Sequence, residues 1–151
     1  MEKHINLSNE NDQEIILDKQ GMTVDIVGKF HLKKTQKKTI TLRVIHRARS
    51  TTARILIRGV VEEQASLSIL GTVVVEKSAQ KTQSFLKEQI LLLSKSAKAE
   101  AVPNLEIFAN DVQCSHASSI SHIDEHQMMY LMSRGLDESQ ARTQILNGFL
   151  K

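Results

Sequence analysis

ITLRVIHRARSTTARILIRGVVEEQASLSILGTVVV, Ile40 to Val75, decides the fold. Successive side chains of an extended chain point to opposite faces. Ile40, Leu42, Val44, His46 and Ala48 therefore share one face, and Thr41, Arg43, Ile45, Arg47 and Arg49 the other. Ser50-Thr51-Thr52 interrupts. Ala53, Ile55, Ile57, Gly59 and Val61 then form a second inward set, with Arg54 and Arg58 outward. Glu62-Glu63-Gln64 turns the chain, and Leu67, Ile69, Gly71, Val73 and Val75 continue. Strands in succession with turns between them imply an all-β architecture.

The pattern extends in both directions. Upstream, Glu14 to Leu17 is a short apolar run, Met22 to Gly28 alternates, and Phe30 and Leu32 continue that alternation before a basic turn, Lys33 to Lys38. Residues 1–12 are polar and without pattern, and read as a lead-in. Downstream, Glu76 to Gln83 is polar, Ile90 to Leu93 is apolar, and Leu105-Glu106-Ile107 and Val112 to His116 read as further strands. Small residues recur after the strands at Ala48, Ala65, Ala79 and Ala97, with gaps of 17, 14 and 18 residues. An approximate repeat of this kind marks a solenoid, in which each coil covers the apolar face of the one before. The unequal gaps leave a sandwich open on pattern alone.

The expected organisation is a lead-in over 1–12, a β-helix over 13–122 and a helical segment over 123–151. The first helix, from about Asp124 to Ser133, can be capped by Ser121 or Asp124 and is stopped by Gly135. The second begins at Asp137, has Gln140 three residues on as a capping box, and carries Ala141, Ile145, Leu146 and Phe149 on one stripe. A solenoid exposes unpaired apolar surface at its ends, and these helices can cap it.

Composition agrees. The 151 residues are 40% hydrophobic but only 3% aromatic, with no Trp, so the interior is built from Ile, Leu, Val and Ala. That suits a thin, regular core. A single cysteine excludes an internal disulfide framework. No apolar run approaches a membrane span and the first residues are polar, so the expected setting is reducing and cytoplasmic. Net charge is only +3, yet Lys29 to Arg58 contains ten basic residues and no acidic one. Such a run can attract nucleic acid or an acidic partner. Phe30 is the one aromatic residue within it, too little for a stacking platform, and solvated strand faces account for it equally well.

Chemistry concentrates in NDVQCSHASSISHIDEHQMMYLMSRG, Asn110 to Gly135, which holds Cys114 and three of the six histidines. Val112, Cys114 and His116 lie on one strand face, so thiol and imidazole can approach one metal ion or one another. On spacing alone, a cysteine acting as a small buried group beside a hydrogen-bonded histidine is the simpler reading. A phosphate-binding glycine loop, G-x-S-x-G, C-x-x-C and H-E-x-x-H are all absent, so an enzyme is not expected. Three of the five methionines fall in the first helix, as core or as an adaptable surface.

CSH (Cys114 to His116), the acidic helix start after it, YLMSRG (Tyr130 to Gly135) and NGF (Asn147 to Phe149) together resemble the C-terminal end of the SufB/SufD iron–sulfur cluster assembly proteins. The resemblance runs back through PNLEIFANDV (Pro103 to Val112) and, more loosely, to about Val44. It implies a right-handed parallel β-helix capped by two helices. It implies that Cys114 and His116 are transient ligands of iron or an iron–sulfur cluster at a boundary with a SufB-like subunit or a second copy. It also implies that the C-terminal helices dock a SufC-like ATPase, with Met128, Tyr130, Met132, Arg134 and Phe149 near that contact.

The sequence departs from the family in three places. It is much shorter than a SufB or SufD. Ala117-Ser118 follows CSH where a glycine and a small residue are common. Ala97 stands where SufB-type proteins carry a cysteine, which makes the chain SufD-like. The expected function is a SufD-like component of iron–sulfur cluster assembly that dimerises, docks the ATPase and does not bind nucleic acid. The alternative is a β-solenoid binding module whose basic face, Lys29 to Arg58, holds nucleic acid or an acidic partner.

Overall fold

The computed structural model describes residues 1–9 and 11–151. Among these the chain forms nine strands and two helices: β1 (Glu2–Asn6), β2 (Asp12–Leu17), β3 (Thr23–Leu32), β4 (Lys37–His46), β5 (Thr52–Val61), β6 (Ser66–Val75), β7 (Thr82–Leu92), β8 (Lys98–Ile107), β9 (Val112–His122), α1 (Glu125–Ser133) and α2 (Glu138–Leu150). Odd-numbered strands make a five-stranded sheet, β1-β3-β5-β7-β9, and even-numbered strands a four-stranded one, β2-β4-β6-β8. Every pairing is parallel. Each coil contributes one strand to each sheet, and the result is a β-solenoid of about four turns capped by two C-terminal helices.

The register explains the unequal alanine gaps. Thr23 lies beside Thr52, and Thr52 beside Gln83, so a coil takes 29 and then 31 residues. Ala48 and Ala79 belong to one corner, and Ala65 and Ala97 to the opposite one. The observed gaps are therefore half-coils of a single repeat. Ala65, Ala79 and Ala97 are buried where the chain turns.

The corners also require left-handed backbone. Gly21, Ser50 and Lys81 stack at one corner with φ of 72°, 56° and 60°. Each donates its backbone N–H to the next coil: Gly21 to Arg49, Ser50 to Gln80 and Lys81 to Asp111. Lys34 and Glu63 adopt the same backbone at another corner, with φ of 58° and 54°, but there their carbonyls accept from the next coil, Lys34 from the Gln64 N–H and Glu63 from the Ser94 hydroxyl. Only one of these five is a glycine, so the hydrogen-bonded coil sets the backbone and not residue preference.

Between the sheets lies one apolar column, with Val24, Ile26, Ile55, Ile57, Leu86 and Ile90 facing Leu42, Val44, Leu67, Ile69 and Val73. It carries one polar cluster. His46 is fully buried; its Nδ1 meets Thr51 Oγ1 at 2.8 Å and its Nε2 meets Ser84 Oγ at 3.1 Å. Thr51 Oγ1 also meets Thr82 Oγ1 at 3.1 Å. Burial pushes the His46 pKa down to about 4, so the ring is neutral at physiological pH.

Two differences from the sequence reading concern the ends of the β region. The segment read as a lead-in contains β1, which pairs with β3 from Glu2↔Thr23 to Asn6↔Val27. Only Ile5 in that strand is sheltered, so backbone pairing holds it without an apolar pattern. The polar stretch Glu76 to Gln83 ends inside β7, whose inward positions Thr82 and Ser84 are polar yet buried.

Asp124 caps α1 by accepting the His126 N–H, and Gly135 (φ 97°) ends it. Asp137 and Gln140 form the reciprocal capping box at α2. The helices close the downstream ends of the five-stranded sheet. Val60 and Leu91 fall on outward positions of β5 and β7 yet are buried, and α2 contacts β5. Arg142 Nη1 donates to the Leu93 carbonyl at 3.4 Å, and Lys29 Nζ to the Lys151 carbonyl at 2.8 Å. Ala141 is the one buried residue of α2, and α1 buries none.

Candidate functional site

The helices leave the interior positions of the last coil uncovered. β8 and β9 are edge strands within the described residues. Val112, Cys114, His116, Ser118 and Ile120 continue the inward series of β7, lying beside Thr82, Ser84, Leu86, Glu88 and Ile90. In β7 all five positions are buried; in β9 Val112 and Cys114 are half-buried and the other three are exposed. Parity thus aims thiol, imidazole and hydroxyl at the core, while the missing next coil leaves them open to whatever completes the end.

Cys114 is a free thiol. Burial raises its pKa, and a hydrogen bond from the Ser84 backbone partly offsets this. At neutral pH the unliganded side chain is a thiol, and a cation or a positively charged neighbour is needed to make it a thiolate.

One coil beneath sits a residue that the sequence reading did not single out. Glu88 is fully buried, and neither carboxyl oxygen has a hydrogen-bond partner among the described residues. Burial pushes its pKa up to about 7. It faces Gly71 of β6, where a Cβ would stand 2.6 Å from Glu88 Oε1 and 2.9 Å from a Leu86 methyl. The glycine keeps room for the carboxyl across a narrow interior. The signal was a glycine in the inward series of one strand with a glutamate in the inward series of another, hidden because β7 opens on polar residues.

The five helix residues do not form one surface. Met128 and Met132 line a groove of about 500 Å³ with Met129, Leu92 and Ile123. Tyr130 lines a second, of about 490 Å³, between the helices with Leu131 and Ile145. Arg134 stacks over the Tyr130 ring at 5.3 Å. Phe149 borders a third hollow with Leu91 and Ser121. Met129 (67% exposed), Tyr130 (60%) and Met132 (44%) leave α1 with an uncovered apolar surface.

The basic run is divided. Lys29, Arg54 and Arg58 belong to the five-stranded sheet, and Lys37, Lys38, Arg43 and Arg47 lie on or beside the four-stranded one. Arg54 meets Asp25 at 3.1 Å, Arg47 meets Glu76 at 3.0 Å and Arg43 meets Glu14 at 3.8 Å. These acids come from neighbouring coils, so the run does not form one continuous positive face.

The chain is a parallel β-solenoid with a cysteine and a histidine in the inward register of its last strand. The family model for the SufBD core domain of SUF-system FeS cluster assembly matches residues 6–149, and the chain belongs to that family. The iron–sulfur cluster assembly protein SufD of Bacillus subtilis is 34% identical over 115 residues, 76% of this chain and 26% of that protein. SufD of Escherichia coli is 34% identical over 97 residues, 64% of this chain and 23% of that protein. A SufBD family protein of Mycobacterium bovis is 30% identical over 137 residues, 85% of this chain and 34% of that one. The chain thus spans about a quarter to a third of these relatives. Among the described residues no helix is long and apolar enough to cross a membrane.

Proposed function

We propose that the chain is a SufD-like, non-catalytic subunit of a cytoplasmic iron–sulfur cluster assembly complex. The observation that carries this is the open last coil, with Cys114 and His116 on inward register and no coil above them. A second β-solenoid, either a SufB-like subunit or another copy, pairs along the β8 and β9 edges and covers them. Unpaired parallel edges of 10 and 11 residues are strong templates for such pairing. The boundary then carries a thiol and an imidazole, soft and borderline donors that suit iron and its clusters. Two ligands do not complete a cluster site, so the partner supplies the rest, and the cluster is cargo.

The helical segment recruits a SufC-like ATPase. A nine-residue helix with no buried residue is marginal alone, and its uncovered methionines suit an adaptable docking face. Movement of the ATPase is then relayed through α2, which rests on the sheet that ends in β9. The tagged chain co-expressed with the SufC-type ATPase of its own genome is expected to retain it through purification. Met132→Glu and Tyr130→Ala are expected to release it with an unchanged melting temperature, since neither side chain is buried. Equal retention by both variants places the contact elsewhere.

A further inference from the structure

We propose that Pro103 splits the joint at the open end: a second β-solenoid pairs without interruption along β9, and along β8 only with a gap at Pro103, across the interior from His116. This rests on the reading that a second solenoid covers the end, and adds which edge carries the continuous ladder.

Backbone N–H and C=O groups of a parallel strand turn to its two neighbours alternately, residue by residue. The Lys98 N–H donates to Ala65 and the Phe108 N–H to Val75, both in the coil below. Even-numbered residues of β8 therefore bond to β6, and Ala99, Ala101, Pro103, Leu105 and Ile107 turn their backbone to the open end. In β9 the register gives the same result. The Gln83 N–H of β7 donates to Thr51, one coil down, and Gln83 lies beside Gln113. Val112, Cys114, His116, Ser118 and Ile120 thus turn their N–H and C=O to the open end.

The two edges differ at one position. Each of these β9 residues has an N–H to offer. In β8 the middle residue of the series is proline, which has no N–H and carries ring carbon where the hydrogen would be. A strand laid on β8, in either direction, finds no donor there and is held off by the ring. Proline within a sheet sits with its nitrogen toward an unpaired edge. That is its position here, and β6 loses nothing, because Val102 and Asn104 are the residues that face it. Closing over Pro103 would leave the partner a desolvated carbonyl without a donor, which offsets what the neighbouring bonds contribute.

Pro103 lies beside Gly71 of β6. Gly71 faces Leu86 and Glu88 across the interior, and these lie beside His116 and Ser118 of β9. The gap therefore falls in the wall opposite His116, while the strand that carries Cys114 and His116 is held by an unbroken ladder. The occupant is a second solenoid because the end presents two strand edges at once, one from each sheet, and both are unpaired among the described residues. A single extended peptide matches one of them; an end built of two sheets matches both.

The chain is co-expressed with the SufB-type and SufC-type proteins of its genome. Amide hydrogen exchange is then read residue by residue by mass spectrometry in the free chain and in the complex. Cys114, His116 and Ser118 are expected to exchange about tenfold or more slower in the complex, and Ala101 and Leu105 at the rate of the free chain. Pro103→Ala removes no hydrogen bond of the folded chain and is expected to keep its circular dichroism. In its complex Ala101 and Leu105 are expected to slow as β9 does. If Ala101 and Leu105 slow as much as β9 in the parent complex, or stay fast in the Pro103→Ala complex while β9 slows, the Pro103 proposal falls and the covering solenoid stands. If no complex forms, or β9 gains no protection within it, the covering solenoid falls and this proposal falls with it.

Discussion

Replacing Glu88 with glutamine will change how stability depends on pH. The Glu88 carboxyl is raised from an ordinary 4.5 to about 7 by burial. The native state therefore holds a proton that the unfolded chain releases between those values. Its contribution is fully present below pH 4.5 and is lost as pH rises through about 7. At 1.36 kcal/mol per pKa unit this loss is about 3 kcal/mol. His46 works the other way. Burial lowers it from 6.5 to about 4, so its contribution is present above pH 6.5 and is lost as pH falls through about 4. The two slopes are opposite and each about 1.4 kcal/mol per pH unit between roughly pH 4.5 and 6.5, so they nearly cancel in the native sequence. Glu88→Gln removes one of them. Urea unfolding of both proteins in chelator at pH 4.5, 5.5, 6.5 and 7.5 gives the difference in stability, in which all other groups drop out. The variant should gain on the parent by about 3 kcal/mol from the lowest pH to the highest. A difference that stays flat across the range would show that Glu88 is ionised in the folded chain, or that a partner holds it, and would refute the reasoning.

Gly71→Ala places a methyl against Glu88 Oε1 and Leu86, and is expected to cost about 1–3 kcal/mol by urea unfolding at pH 7; Glu88→Ala in the same chain should recover part of that. Asp137→Ala removes both halves of the α2 capping box, for a loss of about 1 kcal/mol and a smaller helical signal by circular dichroism. His46→Leu leaves Thr51 and Ser84 hydroxyls without their partner in the core, and is expected to destabilise by about 1–3 kcal/mol at pH 7.

Some of this could be read from the sequence and some could not, for physical reasons. β3 to β6 were legible because apolar residues occupy nearly every inward position, as in Ile40, Leu42 and Val44. The first half of β7 was not, because Thr82, Ser84 and Glu88 point inward; they are buried by the coils on either side and not by their own chemistry. β1 was not, because its backbone bonds to β3 need no pattern. The corners were hidden because Lys34, Ser50, Glu63 and Lys81 adopt left-handed backbone without being glycine or asparagine. Both helices were legible from their caps, since Asp124, Asp137 and Gln140 act locally. At the site, spacing placed Cys114 and His116 on one face. Their openness was not legible, because it depends on what lies above β9. Glu88 was not legible either, because its burial depends on β6 and β9, each far away in sequence.

The central claim is tested most directly by loading. The chain is co-expressed with the SufB-type and SufC-type proteins of its genome and the complex is isolated without oxygen. Iron and acid-labile sulfide are then measured per complex for the parent, Cys114→Ser and His116→Ala. The account predicts a complex of unchanged composition in all three, with iron and sulfide present in the parent and lost in both variants. Equal iron and sulfide in the parent and the variants would contradict it, and would leave a β-solenoid whose open end serves only to join subunits.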